Sequence, residues 1–166
     1  MPRDARDAQD ANARRFAELE ADRSIRALVF RYADAVCRGD VDAWRATWAD
    51  DAVWEIGRGP AEGIDAIVAA FERAMGLFDS VVQIALSGEA SLGAGGDTAT
   101  GRWYMQEHSC TRSGHRLLYL GYYDDEYVRD EATGEWRFAR RELAWLYQGD
   151  PDLSGTFGPP PGYATA

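Results

Sequence analysis

His108 is one of two histidines in a 166-residue chain, and it closes the run Arg102-Trp103-Tyr104-Met105-Gln106-Glu107-His108, whose aromatic content marks a strand. An imidazole titrates near neutral pH, so one placed in an apolar cavity can take or give a proton. On the surface the same residue would be an ordinary structural histidine. Neighbouring residues on a strand point to opposite faces. Tyr104, Gln106 and His108 therefore share one face, and Trp103, Met105 and Glu107 the other. If the first set faces a cavity, His108 is the general acid–base, with Tyr104 beside it. If the second set does, Glu107 is the only buried acid of the strand. A carboxyl in apolar surroundings has its pKa raised, which suits a general base.

Other side chains offer less. Cys37 is a nucleophile only if its pKa is lowered; otherwise it is a small residue of a pocket wall. Gln83 can hydrogen-bond a substrate oxygen but carries no proton at neutral pH. Tyr32, Trp54, Tyr119 and Trp145 combine apolar rings with polar tips, the usual lining of a small-molecule site. His108, Cys110 and His115 lack a fourth ligand, so no metal is expected. Gly93-Ala94-Gly95-Gly96-Asp97 joins two strands rather than opening a helix, so it is a hairpin turn and no cofactor is expected. Arg141 and Glu142 read as members of a cross-strand ion pair.

The elements that must position these groups are legible from periodicity. Ile25, Leu28, Val29, Tyr32 and Val36 repeat at helical spacing, and Gly39 ends that helix while Asp40 caps the next. The second helix is expected to carry Val41, Trp44 and Trp48, followed by a short strand over residues 52–56. Ile64, Ile67, Val68, Phe71 and Met75 form a third amphipathic helix. The period then changes: residues 81–92, 98–110, 116–129 and 136–147 are four long strands separated by short turns. Connections that short require antiparallel pairing. Helices first and strands afterwards make an α+β domain, with a strongly curved sheet forming a cone that three short helices do not fill. The expected divisions are a charged extension over 1–20, the domain over 21–148, and an irregular Pro/Gly-rich tail over 149–166. In the tail, Phe157 and Tyr163 would be anchors if it lies over the cavity or a neighbour.

A net charge of −10 with interleaved signs argues against nucleic acid and anionic membrane surfaces. No apolar run reaches the roughly 20 residues of a spanning helix. The N-terminus has no apolar core of a secretory signal, and Cys37 and Cys110 show no partner pattern. A cytoplasmic protein without disulfides is the expectation.

Tyr32-Ala33-Asp34-Ala35-Val36-Cys37-Arg38-Gly39-Asp40, Trp48-Ala49-Asp50-Asp51-Ala52-Val53-Trp54 and Gly121-Tyr122-Tyr123-Asp124-Asp125-Glu126-Tyr127-Val128-Arg129 occur in an order that resembles the SnoaL-like branch of the nuclear-transport-factor-2-like superfamily. Ketosteroid isomerase and scytalone dehydratase are relatives. The resemblance implies a cone with one apolar pocket, a homodimer formed through the outer sheet face, and cofactor-free isomerase or dehydratase chemistry on a hydrophobic cyclic molecule of steroid, polyketide or terpenoid type. It implies His108 as catalytic residue, helped by Tyr32 and Tyr104, with Cys37, Trp54, Gln83, Met105, Tyr119 and Trp145 against the substrate. Two departures stand against that mechanism. Cys37 occupies the position where many relatives have an aspartate, and the strand through Gln83 lacks the second histidine of the dehydratases. A non-catalytic binding or assembly domain of the same fold is the alternative. A dioxygenase small subunit is a third reading, for which the N-terminal pattern is missing.

Overall fold

A computed structural model describes residues 3–57 and 59–158. Helix α1 (Arg3–Arg38) is followed by α2 (Val41–Arg45), β1 (Trp48–Glu55), β2 (Pro60–Glu62), α3 (Ile64–Met75), β3 (Phe78–Leu92), β4 (Thr98–Thr111), β5 (Arg116–Arg129), β6 (Trp136–Gly149) and β7 (Thr156–Phe157). The anticipated boundary at residue 20 falls inside α1, which is one continuous helix of 36 residues, about 54 Å long at the standard rise. Residues 8–20 are exposed, and further along Ile25 and Leu28 are wholly buried.

The termination of α1 has a clear local cause. Gly39 adopts φ 61°, a conformation that costs glycine little. That turn lets the Gly39 amide donate to the Val36 carbonyl (3.1 Å) and the Asp40 amide to the Ala35 carbonyl (3.0 Å), the paired bonds of a Schellman motif. Asp40 then accepts from the Ala43 amide at 2.9 Å, capping α2 as expected. Helix α2 stops at Arg45, so Trp48 belongs to β1 rather than to the second helix.

The sheet runs β2-β1-β6-β5-β4-β3, with β7 added to β6. The four long strands pair antiparallel as their short turns require. Strand β1 departs from that pattern and joins β6 in parallel; the long excursion through α3 and the hairpins makes this possible. The cone's closed end is filled with rings rather than left open. Trp44 stacks on Phe71 at 4.1 Å between centroids and lies 5.2 Å from both Trp48 and Trp54. Trp54, expected against the substrate, is thus a core residue. The tail folds back through β7, where Phe157 lies 4.8 Å from the Tyr147 ring, so its residues up to 158 are ordered onto the sheet. Tyr163 lies outside the described residues. Among the described residues no helix is long and apolar enough to cross a membrane.

Candidate functional site

Alternation along β4 decides which residues face the cone. Trp103, Met105 and Ser109 are buried, whereas His108 is exposed. The register Glu107↔Tyr119, Met105↔Gly121 and Trp103↔Tyr123 carries the inward face onto β5. Register Gly121↔Trp145 carries it onto β6, and Gln83↔Glu107 onto β3. His108, Gln106 and Tyr104 therefore lie on the outer face. There the Gln106 amide pairs with the His108 ring, and the Tyr104 ring sits 5.8 Å from Tyr122. His108 and Tyr104 were expected to do the chemistry inside the cone; strand phase puts both on the other side. The inward titrating group of β4 is Glu107.

Glu107 is half-buried and accepts a hydrogen bond from the Gln83 side-chain amide at 2.9 Å. No ion-pair partner for it occurs among the described residues. Burial pushes its pKa above the ordinary carboxylate value, and the Gln83 bond only partly opposes this. The other Gln83 amide proton points along a long 3.5 Å contact to the Tyr123 hydroxyl. Tyr123 and Tyr32 pack edge to face, 6.1 Å apart. Both phenols are pushed above their usual values by burial first of all. Burial and the neighbouring Glu107 charge do the same to Tyr119. Trp145 leans on the Tyr119 ring at 5.0 Å, and both are only half-buried, so this corner is the mouth of the cone. Cys37, in the last turn of α1, is exposed. Its sulfur accepts the Gln83 amide N–H at 3.2 Å and donates to the Gln83 carbonyl at 3.3 Å, tying the last turn of α1 to β3. Of the expected site residues, Gln83, Met105, Tyr119 and Trp145 share this inner sheet face and Tyr32 of α1 packs against it, whereas Cys37 is exposed beside the β3 backbone and His108, Tyr104 and Trp54 lie elsewhere.

Deeper in the cone lies a charge pair that spacing did not reveal. Arg141 is 1% exposed and donates through Nε and Nη2 to the two Asp125 oxygens at 2.9 and 3.1 Å. Arg141 does not pair with Glu142, which instead accepts from Arg140. The Tyr127 hydroxyl donates to Asp125 at 2.7 Å, and accepts from the Trp103 indole at 2.8 Å. The guanidinium carbon sits 3.9 Å from the Tyr123 ring centre, 4.1 Å from Phe138 and 4.2 Å from Tyr32. Burial alone would lower the Arg141 pKa, but Asp125 and the surrounding tyrosines outweigh it and keep the group a cation. The signal that could have found this pair is the inward parity of Asp125 with Tyr123 and Tyr127. A charged residue on an otherwise aromatic face needs an opposite charge.

Two surface grooves lie away from this corner. One, of ≈ 490 Å³, crosses the outer sheet face over Arg102 and Asp124, which are paired with each other at 2.6 Å. The other, of ≈ 570 Å³, runs between Phe16 and Leu19 of α1 and the β5–β6 turn. Neither includes Glu107.

A helix is laid over a curved, unclosed sheet, and the sequence over residues 17–142 matches one family, that of the SnoaL-like domain. The chain belongs to the SnoaL-like domain family. This family lies within the nuclear-transport-factor-2-like superfamily, and the cone is its fold. Among solved SnoaL-like folds, a hexachlorocyclohexane dehydrochlorinase, LinA type 2, is 19% identical, with 89% of this chain and 99% of that chain covered at a TM-score of 0.75. A candidate scytalone dehydratase from Novosphingobium aromaticivorans is 20% identical over 90% and 98% of the two chains, with a TM-score of 0.76. A candidate aromatic ring hydroxylase from the same organism is 27% identical over 80% and 91%, at 0.69. No curated protein matches the sequence.

Proposed function

We propose that this SnoaL-like protein is a small-molecule pocket protein that runs cofactor-free acid–base chemistry, of isomerase or dehydratase type, on a hydrophobic cyclic substrate of steroid, polyketide or terpenoid type held at the mouth of the cone. It would do so as a cytoplasmic homodimer. The observation that carries the reading is Glu107: an inward carboxylate without an ion-pair partner among the described residues, held by one amide at 2.9 Å and raised in pKa by burial. Such a group is basic enough to remove a proton from carbon next to a carbonyl and acidic enough to return it. The proton goes back to a different carbon in an isomerisation. In a dehydration it leaves with the substrate hydroxyl as water. Tyr119 and Tyr123 stand on the same face as Glu107, and in this reading a tyrosine hydroxyl of that face donates to an oxygen that gains charge. Gln83 fixes the orientation of the carboxylate, and Met105 and Trp145 supply apolar wall.

The test is a thermal-shift screen of steroid enones, polyketide aromatics and terpene alcohols, followed by turnover assays on wild type, Glu107→Gln and His108→Ala. Turnover by wild type and His108→Ala but not Glu107→Gln supports the reading. Loss with His108→Ala and retention with Glu107→Gln overturns it.

A non-catalytic binding domain is favoured by two specific residues, Cys37 and Gln83. Both stand where catalytic relatives carry an acid or a histidine, and here they bond to each other's strand and helix. Ligand stabilisation without turnover in any of the three proteins selects that reading.

A further inference from the structure

Two carboxylates lie on the inner face of the cone, and they are treated differently. Asp125 is matched by Arg141 through two hydrogen bonds. Glu107 has an amide donor and no cation among the described residues. Aromatic side chains stand next to it on the sheet. Tyr119 is its direct cross-strand neighbour, and the Trp145 ring lies 5.0 Å from Tyr119 at an interplanar angle of 42°. Tilted rings and one carboxylate at a half-buried corner are surroundings in which an organic cation can be held, by the negative faces of the π systems and by direct charge attraction. The interior already contains a finished example. The Arg141 guanidinium lies against Tyr123, Tyr32 and Phe138 and is balanced by Asp125. At the mouth a carboxylate again lies beside two rings, and among the described residues no cation pairs with it. A net charge of −10 adds a long-range field of the matching sign.

We infer that the corner formed by Glu107, Tyr119 and Trp145 binds organic ammonium groups, so that ligands of this protein carry a positive charge, or a ring position able to develop one, against Glu107. The inference rests on Glu107 being the working group of the mouth. It specifies the electrical character of what enters, which the proposed base chemistry alone leaves open.

The experiment compares choline with 3,3-dimethylbutan-1-ol, which have nearly the same shape and differ in charge. Affinity is measured by calorimetry at low and high salt, and the Trp145 indole N–H resonance locates the ligand. Wild type is expected to bind the ammonium about tenfold more tightly than the neutral alcohol and to shift the Trp145 signal. In Glu107→Gln and in Trp145→Leu, each checked for native circular dichroism, that preference shrinks severalfold. Equal affinities, binding of neither compound, or a preference that survives Glu107→Gln and vanishes only with salt each overturn the inference. Loss of enone turnover in Glu107→Gln would still stand in that case, so the base reading and the ammonium reading fail separately.

Discussion

Replacing Glu107 with glutamine keeps the volume and an acceptor for Gln83 while removing the charge. The folded pKa of Glu107 lies above the unfolded one because burial penalises the anion. Below the ordinary carboxylate range both states are protonated and the group is neutral to stability. As pH rises, the unfolded chain releases the proton first, so the folded protein loses stability until its own pKa is passed. Glu107→Gln should therefore melt higher than wild type at neutral pH, and the gap should close in acid. A melt series across that range checks it. Arg141 presents the opposite case. Asp125→Ala strands a buried cation and should cost about 3–5 kcal/mol in urea unfolding, whereas Asp125→Leu combined with Arg141→Met should cost far less than the sum of the single changes. The sequence limited the acid–base group to His108 or Glu107 through strand parity alone. It did not choose between them, because the phase of β4 is set by what α1 packs against, a contact between residues far apart in the chain. For the same reason the nearest opposite charge in sequence, Glu142, was the wrong partner for Arg141.

At the scale of elements, the local signals were reliable and the long-range ones were not. The Gly39 stop, the Asp40 cap, α3 and the four long strands all followed from spacing and turn residues. Trp48 was misassigned because a five-residue helix leaves too few turns for a period to show, and its apolar neighbours suit either element. The parallel β1–β6 pairing has no local signature, since it joins residues some ninety positions apart, as in Trp48↔Phe138. Trp54 looked like a pocket ring and became core for the same reason: the strand that holds it was placed by that pairing. One element carries a tight constraint that can be tested. Strand β3 is irregular between Ala85 and Gly88, and a Cβ on Gly88 would meet the Arg102 carbonyl at 2.5 Å and press on the Trp103 indole. Gly88→Ala should destabilise by about 1–3 kcal/mol, measured by chemical denaturation, and should disturb the Trp103–Tyr127–Asp125 bonds behind it.

For the whole molecule, residues 8–16 of α1 are exposed, Phe16 to 74%. Removing residues 1–16 should lower helical circular dichroism while moving the melting midpoint by less than about 2 °C, the range of changes made away from the core. A larger drop would mean that the arm is packed in solution. The placement of tryptophan has an optical consequence. Trp44, Trp48, Trp54, Trp103 and Trp136 are each at most 5% exposed, and the indole N–H groups of the first three have no bonding partner among the described residues. Trp145, at the mouth, is the sixth and the one that meets solvent. Native emission should therefore have two parts: a blue, unquenchable share from the closed end and a redder share that iodide or acrylamide can reach. A compound entering the cone would dim only the second, while loss of the fold would shift both together. With this built-in colour separation, a single spectrum can tell occupancy from unfolding.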